Sequence, residues 1–282
     1  MSRKFRITRR KLIHWTFVYG CLTLLAVATV IPFLWTLSTS LKGQNEAIFS
    51  MPPQFIPENL TFENYKTVWT SLPIPRYFVN SIILSFFGVT LPLIFSSMAA
   101  FPLARMEFKG KHVIFMGIIA TMMIPGEVTM IPIYLTLDRL GLIGNIAGVI
   151  LPGAVSAFGI FLMRQAFIAI PKEIEDSAFI DGVNIWQMWR YILFPMVKPM
   201  LATLGILSFI GSWNNYLWPL LVLDDPNMYP LTVGLQNLRG TFVTNTRLIA
   251  AGAVLALIPI LVIFISFQRY FIQGAYSSAV KG

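Results

Sequence analysis

The chain has 282 residues, of which 56% are hydrophobic and only 12% are charged, and its mean hydropathy is +0.71. A soluble domain carries about 25% charged residues, so this composition argues against a soluble protein and predicts an integral membrane protein. The formal net charge is +9, but the basic residues gather at the ends of apolar segments rather than on one soluble face, which argues against nucleic-acid binding.

Six apolar segments are each long enough to cross a bilayer as a helix, which takes about 20 residues. None of them alternates with a period of two, so we expect helices rather than a barrel. The fold class is therefore predicted to be all-α, with a six-span membrane domain over residues 13–272 between a basic tail, 1–12, and a final tail, 273–282. The predicted spans are Ile13–Leu37, Phe78–Ala104, Val113–Leu135, Ile143–Ile168, Met200–Val222 and Leu248–Ile272.

The distribution of Lys and Arg predicts the orientation of the spans. Most of the 21 basic residues lie before the first span, after the second, around the loop between the fourth and fifth, and at the chain end. This bias places both termini in the cytoplasm. A cleavable signal peptide is the alternative for the N-terminus, since Ala26-Val27-Ala28 mimics a cleavage site; the uninterrupted apolar stretch through Thr29–Trp35 favours a retained helix.

The first outer loop, Lys42–Arg76, is the one substantial loop on the opposite side. It contains five prolines, Pro52, Pro53, Pro57, Pro73 and Pro75, and a short amphipathic piece at Leu60–Trp69. A lid or docking surface and an ordered connector both fit this pattern.

Reactive and metal-binding side chains are sparse. His14 and His112 have no neighbours at ligand spacing, so no metal site is expected, and an intramembrane enzyme would need a convergent set of such groups. The G-x-x-x-x-G-K-[ST] phosphate loop does not occur, so this chain is not expected to hydrolyse ATP through that motif.

The segment Pro171–Pro199 is acidic and lies between two apolar segments. Its carboxylates are Glu173, Glu175, Asp176 and Asp181. Moving each into lipid would cost on the order of 2–3 kcal/mol, so the segment is predicted to lie in water on the cytoplasmic side.

A helix of about three turns is predicted from Pro171 to Gly182. Proline suits a first turn, acids near a helix N-terminus are stabilised by the macrodipole, and glycine can take the left-handed conformation that ends a helix. Ile174 and Ala178 share one face with Phe179 beside them, which predicts a surface that docks into a groove on a partner. The alternative is an interfacial helix resting on lipid, although acids facing an anionic leaflet disfavour it.

This segment resembles the coupling loop of ABC importer permeases, whose signature is E-A-A, three residues, G, and then I-x-L-P. The place of E-A-A is taken by Asp176-Ser177-Ala178, that of G by Gly182, and that of I-x-L-P by Ile192-Leu193-Phe194-Pro195. Where a residue differs from the signature, its acidic, small or apolar character is kept. Leu103-Ala104-Arg105 and the C-terminal Arg269-Tyr270-Phe271 are similar to the carbohydrate-type permeases, including the second permease of the maltose importer.

The resemblance implies a multi-pass subunit of the bacterial cytoplasmic membrane that translocates a sugar or oligosaccharide and is not itself an enzyme. It implies a homologous second permease, two cytoplasmic ATPases that use ATP and Mg, and an extracytoplasmic solute-binding protein, with no cofactor on this chain. The residues implied to contact the ATPase are Glu173, Asp176, Ser177, Ala178, Asp181, Gly182 and Pro195. An ion-gradient-driven secondary transporter is the alternative, and it predicts midplane charges and repeated discontinuous helices.

Polar residues inside the predicted spans are candidates for the substrate pathway. Ser212, Trp213, Asn214 and Asn215 interrupt the fifth segment and offer hydroxyl, indole and amide groups suited to a sugar; interhelical hydrogen bonding is an equally good explanation. Glu127, the one acid well inside an apolar segment, either lines a cavity or caps a proline-loosened turn. Asn80 and Asn145 lie near span ends and are expected to be anchors or caps.

Overall fold

A computed structural model of the protein describes residues 9–50, 52, 54–238 and 245–279, with the helix backbone alone at 9–12 and 269–279. Within these ranges the chain is mostly helical, as predicted, and its β pairing is limited to an isolated bridge between Lys42 and Leu60. The α-helices are α1 (Arg9–Leu41), α2 (Glu63–Ser71), α3 (Ile74–Arg105), α4 (Lys111–Thr121), α5 (Gly126–Arg139), α6 (Ile146–Ile150), α7 (Ala157–Ile168), α8 (Glu173–Ile180), α9 (Ile185–Gln187), α10 (Phe194–Met196), α11 (Lys198–Trp213), α12 (Leu217–Val222), α13 (Leu231–Gly234) and α14 (Thr246–Ala279).

Three single helices among the described residues are long and apolar enough to cross a membrane: Ile13–Leu41 in α1, all of α3, and Thr246–Gln268 in α14. Three helix pairs pass the same test together but are bent at a short break. The bends are 99° between α4 and α5, 42° between Ile146–Gly153 and α7, and 77° between Ile185–Met196 and α11. The chain therefore has three candidate spans, or up to six if each bent pair is one span.

Proline and polar residues explain where the helices break. The break between α4 and α5 lies just before Pro125, because proline disfavours a helical conformation of the preceding residue and has no backbone N–H to donate. Pro125 itself is extended, with ψ of 136°, and is the N-cap residue of α5. The predicted fifth segment, Met200–Val222, is also interrupted, since α11 ends at Trp213 and α12 begins only at Leu217.

The first and last helices extend into the two predicted tails where these are described. Helix α1 already begins at Arg9, and residues 1–8 of the predicted basic tail lie outside the described residues. Helix α14 continues to Ala279 through most of the predicted final tail, and 280–282 lie outside the described residues.

The chain packs as two compact units, one of residues up to Leu72 together with Leu238–Leu255, and the other of Pro73–Asn237 together with residues from Ala256 onward. In the first unit the outer loop is ordered around Lys42, whose side chain is fully buried. Its Nζ donates to the carbonyl of Ala47 at 3.1 Å and lies 5.3 Å from the ring centroid of Trp35.

Two further polar side chains fix the outer loop. Asn64, from α2, donates its amide to the carbonyls of Ser40 and Lys42, both at 2.9 Å. The buried carboxylate of Glu46 accepts from the backbone N–H of Glu58 at 3.1 Å. The predicted amphipathic piece is thus a helix, although it begins at Glu63 rather than Leu60, and the loop has an ordered internal framework.

The second unit is built around α3, which packs against α7 and α11. Small residues make these contacts close: a Cβ on Gly88 would lie 2.5 Å from Ser212 Oγ of α11, and one on Gly159 of α7 would lie 2.6 Å from Ser96 Oγ. Small residues are the usual means of close helix approach in membranes, where dispersion contacts and hydrogen bonds drive association.

The apolar core of this unit lies at the Arg105 end of α3. Phe101 and Phe167 meet there edge to face, with ring centroids 6.1 Å apart. Met163, Met188 and Leu193 are buried in the same cluster. The core therefore joins α3 and α7 to the segment that follows α8.

We predict that Gly88→Ala lowers the stability of the purified protein, because the new methyl group overlaps Ser212 of α11. The expected loss is about 1–3 kcal/mol, typical of overpacking. Thermal unfolding in detergent, followed by tryptophan fluorescence, measures it.

The matched control is Gly117→Ala in α4, where an added Cβ meets nothing within 4 Å. Adding Ser212→Gly to Gly88→Ala should restore the melting temperature, since it removes the overlapping side chain. Equal melting temperatures for the two alanine variants would contradict this packing argument.

Candidate functional site

The acidic segment forms α8, a short rod with its acids at the N-terminal end. Glu173, Glu175 and Asp176 occupy the first turn, where the helix dipole favours negative charge. The helix spans eight residues, about two turns. It is shorter than predicted because Pro171 precedes the N-cap residue Lys172 and lies outside the helix.

Gly182 ends this rod in the left-handed conformation, as predicted, with φ of +79°. Its N–H donates to the carbonyl of Phe179, and the N–H of Val183 donates to the carbonyl of Ala178, both at 3.1 Å. This is the Schellman arrangement, which satisfies the last helix carbonyls and reverses the chain sharply.

The two faces of α8 differ from the sequence prediction. Ala178 is buried and Ile174 packs beside it against the apolar core of the second unit. The exposed apolar side chains are instead Phe179, 51% exposed, and Ile180, 86% exposed. The i, i+4 spacing identified one apolar face correctly, but that face covers the chain's own core. Glu173, Asp176, Ser177, Asp181 and Gly182 remain exposed.

A buried ion pair connects α8 to the end of α3. Arg105 Nε lies 2.8 Å from Glu175 Oε1, and both side chains are 9% exposed. Arg105 Nη2 also donates to the carbonyl of Ile170 at 2.6 Å. Burial raises the pKa of Glu175 above its ordinary value, and the charge of Arg105 opposes that increase.

After Gly182 the chain leads to α11 through the capped helix α9, a π-helical stretch and α10. Asn184 and Gln187 form a capping box, with Gln187 N–H donating to Asn184 Oδ1 at 2.9 Å. Trp189, in the π-helix Met188–Leu193, donates its indole N–H to Ser97 Oγ of α3 at 3.1 Å. Pro195 is half-buried in the first turn of α10, so it lies beside the core rather than on the exposed part of α8.

Sequence reasoning missed this set of contacts between α3 and the acidic segment. In the sequence Arg105 is part of a motif at the end of a span and Glu175 is one of several acids, and nothing in either segment points to the other. The available signal was a lone arginine at the apolar end of a long span, which needs a partner if it is buried.

The polar residues of the interrupted fifth segment have different surroundings. Trp213 is buried, stacks on Phe209 at 5.6 Å and donates its N–H to the carbonyl of Ala256 at 3.0 Å, which is the interhelical role left open above. Ser212 Oγ donates to the carbonyl of Leu84 at 3.2 Å. Asn214 is exposed and bonds within its own helix, to the carbonyl of Ile210.

Asn215 lines a cavity of about 240 Å³ with Ser208 and Ser212. The remaining lining residues are Leu84, Gly88, Pro92, Val149, Ile150, Gly153, Gly211 and Pro219. Larger grooves of about 500 and 380 Å³ have almost wholly apolar walls, and another of about 380 Å³ lies at the end of α8, beside Asp181 and Gln187, away from the long apolar helices. The smaller cavity is therefore the better match to a hydroxyl-rich solute.

The remaining sequence candidates are peripheral to this cavity. Glu127 is exposed in the first turn of α5, directly after the 99° break. Asn80 donates to the carbonyls of Asn227 and Tyr229 and is therefore an anchor, while Asn145 is the N-cap of α6. These are the roles predicted for them. No three His, Cys, Asp or Glu side chains in the described ranges could hold a metal ion.

Comparison with known proteins gives consistent results. Residues 92–275 match the family model for the binding-protein-dependent transport system inner membrane component. The arabinooligosaccharides transport system permease protein AraQ of Bacillus subtilis is 36% identical over 92% of this chain and 93% of its own length. The melibiose/raffinose/stachyose import permease protein MelC of the same species is 36% identical over 92% and 94%.

A solved structure is also similar over almost the whole chain. It is a chain from the crystal structure of a bacterial ABC transporter involved in the import of the acidic polysaccharide alginate. The TM-score is 0.82 at 27% identity, with 94% of this chain and 99% of that chain covered.

We predict that Glu175→Gln changes the pH dependence of stability. Since the pKa of Glu175 is raised on folding, its ionisation destabilises the wild-type fold as the pH rises past the ordinary value of 4.5 and through the folded value. The glutamine variant lacks this loss. Its melting temperature relative to wild type should therefore increase between about pH 4 and pH 8.

Thermal unfolding in detergent across this pH range tests the sign. Glu107→Gln is the control, because Glu107 pairs with Lys111 at 3.2 Å on the surface and its side chain is 90% exposed. A difference for Glu175→Gln that stays flat or decreases with pH would contradict the argument.

Proposed function

Because this chain belongs to the family of binding-protein-dependent transport system inner membrane components, we propose that its rod α8 is the coupling helix that docks on a separate ATPase. The chain is a permease subunit of a sugar ABC importer in the inner membrane. The observation that carries this conclusion is the 36% identity to an oligosaccharide permease over 92% of the chain.

The proposed substrate is an oligosaccharide. The names of two similar permeases specify arabinooligosaccharides and melibiose, raffinose and stachyose, and the similar structure comes from an importer of a polysaccharide. The cavity lined by Ser208, Ser212 and Asn215 provides hydroxyl and amide groups beside apolar walls. Such a mixture suits the polar edges and apolar faces of a sugar ring.

We propose six spans with both termini in the cytoplasm, each bent helix pair counting as one span. The Lys and Arg bias supports this orientation. In this topology α8 and Arg105 lie on the cytoplasmic side, and the outer loop between α1 and α3 lies on the other side. Gly153, at the break before α7, and Asn215, between α11 and α12, bring non-helical backbone to the cavity, where a membrane protein tolerates it.

The exposed part of α8 is the proposed docking surface for the ATPase. It combines the apolar Phe179 and Ile180 with the acids Glu173, Asp176 and Asp181. The left-handed turn at Gly182 keeps the following chain clear of the end of the rod. Such a rod fits a groove with apolar walls and a basic rim. Ala178 supports docking indirectly, because it packs α8 closely against the core. Pro195 supports it in the same way, from its half-buried position in α10.

The proposed complex contains a homologous second permease, two ATPases and an extracytoplasmic binding protein. The family name and the similar alginate importer support this composition. ATP and Mg belong to the ATPase subunits, and the permease transmits motion without breaking bonds. None of the residues in the most apolar stretch of α1 is buried within this chain. Its apolar surface is therefore available to lipid or to the second permease.

We predict that Ile180→Ala weakens retention of the ATPase in detergent-solubilised complexes. An apolar anchor in the centre of an interface contributes about 1–3 kcal/mol, so affinity should fall by about 10- to 100-fold. Copurification against ATPase concentration measures the loss.

Ile56→Ala is the matched control, because Ile56 on the outer loop is 84% exposed, against 86% for Ile180. Equal ATPase retention by both variants would show that this end of α8 is not at the interface.

We also predict that uptake depends on ATP rather than on an ion gradient. In vesicles that hold the complete complex, uptake of labelled raffinose or an arabinooligosaccharide should continue in the presence of a protonophore while ATP is supplied inside. Loss of uptake with the proton gradient at constant ATP would favour the secondary transporter instead. If neither sugar is taken up but another oligosaccharide from a panel is, only the assigned substrate changes.

A further inference from the structure

We propose that Arg105 is a positioning residue that makes α3 move together with α8, so that motion of α8 reaches the cavity wall through α3. This inference rests on the proposed function of α8 as the coupling helix. It concerns which membrane helix receives the motion, and α3 is not adjacent to α8 in the sequence.

One guanidinium holds two successive parts of the acidic segment. Arg105 Nε pairs with Glu175 inside α8, while Nη2 donates to the carbonyl of Ile170, just after α7. The hydrogen bond from Nη2 orients the Ile170 carbonyl, and the short ion pair at Nε holds Glu175 by charge, so one guanidinium restrains both parts at once. Because the side chains are buried, solvent does not screen this pair as it would on the surface.

Two further contacts connect the same end of α3 to its neighbours. Arg164 of α7 donates from Nε to the carbonyl of Leu103 at 3.0 Å, and its guanidinium carbon lies 4.0 Å from the ring centroid of Phe115. Trp189 donates to Ser97, and both side chains are buried. The last turns of α3 are thus bonded to the elements before, within and after α8.

The other part of α3 forms a wall of the cavity. Leu84, Gly88 and Pro92 line it, facing Ser208 and Ser212 of α11. At 1.5 Å per residue, Gly88 lies about 25 Å along the helix from Arg105. A continuous helix transmits displacement over this length, whereas the chain from α8 to α11 passes through α9, the π-helix and α10, with a 77° bend before α11. Helix α3 is therefore the direct route from the docking rod to the cavity.

The test measures how strongly nucleotide changes access to the cavity. In a Cys21→Ser background, Ser208→Cys places a near-isosteric thiol on the wall, and a charged methanethiosulfonate reagent reports its accessibility. The complete complex is compared without nucleotide and after trapping with ATP and vanadate. The readout is the ratio of the two modification rates, alongside the rate of ATP hydrolysis.

Glu175→Gln and Arg105→Gln are expected to retain the ATPase and to hydrolyse ATP, but to reduce this ratio by at least about fivefold, the lower range of coupling between linked sites. Glu107→Gln, which breaks the exposed pair with Lys111, should leave the ratio unchanged. An unchanged ratio in Glu175→Gln, or an equal reduction in Glu107→Gln, would overturn the proposal.

A second measurement does not depend on the folding of a charge variant. Spin labels at Lys172, exposed beside α8, and Met98, 40% exposed on α3, should keep one distance distribution before and after trapping. A shifted distribution would show that α8 moves independently of α3. A rate ratio near one in the Ser208→Cys background itself, with an active ATPase bound, would instead contradict the proposed lever.

Discussion

The structure depends on the close packing of α3 against α7 and α11. Gly88 of α3 and Gly159 of α7 allow this packing, because an added Cβ at Gly88 would lie 2.5 Å from Ser212 Oγ and one at Gly159 would lie 2.6 Å from Ser96 Oγ. In a bilayer the apolar surface of a helix gains little by leaving lipid, so close contact and satisfied polar groups must supply the association energy. The hydrogen bonds from Ser212, Arg164 and Trp189 meet that need along the length of α3.

The buried pair of Arg105 and Glu175 serves geometry more than stability. Removing two charges from water is costly, and the raised pKa of Glu175 shows that Arg105 does not fully offset this cost. Apolar residues could fill the same space, often without loss of stability, but they would not select one partner for Glu175. A buried ion pair with one partner holds the rod at one place on α3, which is what the proposed transmission of a small displacement requires.

Much of the fold could be predicted from the sequence, because the bilayer imposes strict demands on length and composition. The spans, the acidic rod and its end at Gly182 follow from local rules that each short segment obeys by itself. The inward direction of Ala178 could not be predicted, since a periodic face looks the same whether it covers the chain's own core or a partner. The pairing of Arg105 with Glu175 joins residues far apart in the sequence, and no local pattern specifies it. Trp213 was similarly ambiguous: an indole inside a span suits both a sugar and a neighbouring carbonyl, and the bond to Ala256 is visible only in three dimensions.

The buried Lys42 in the loop between α1 and α3 has a consequence for any protein that contacts this loop. A loop of this length would ordinarily be mobile, yet its internal bonds from Lys42, Glu46 and Asn64 fix it before anything arrives. A protein that meets such a surface sacrifices little chain entropy on contact. A small contact area on this loop can therefore suffice for recognition, because little of the binding free energy is lost in ordering the loop.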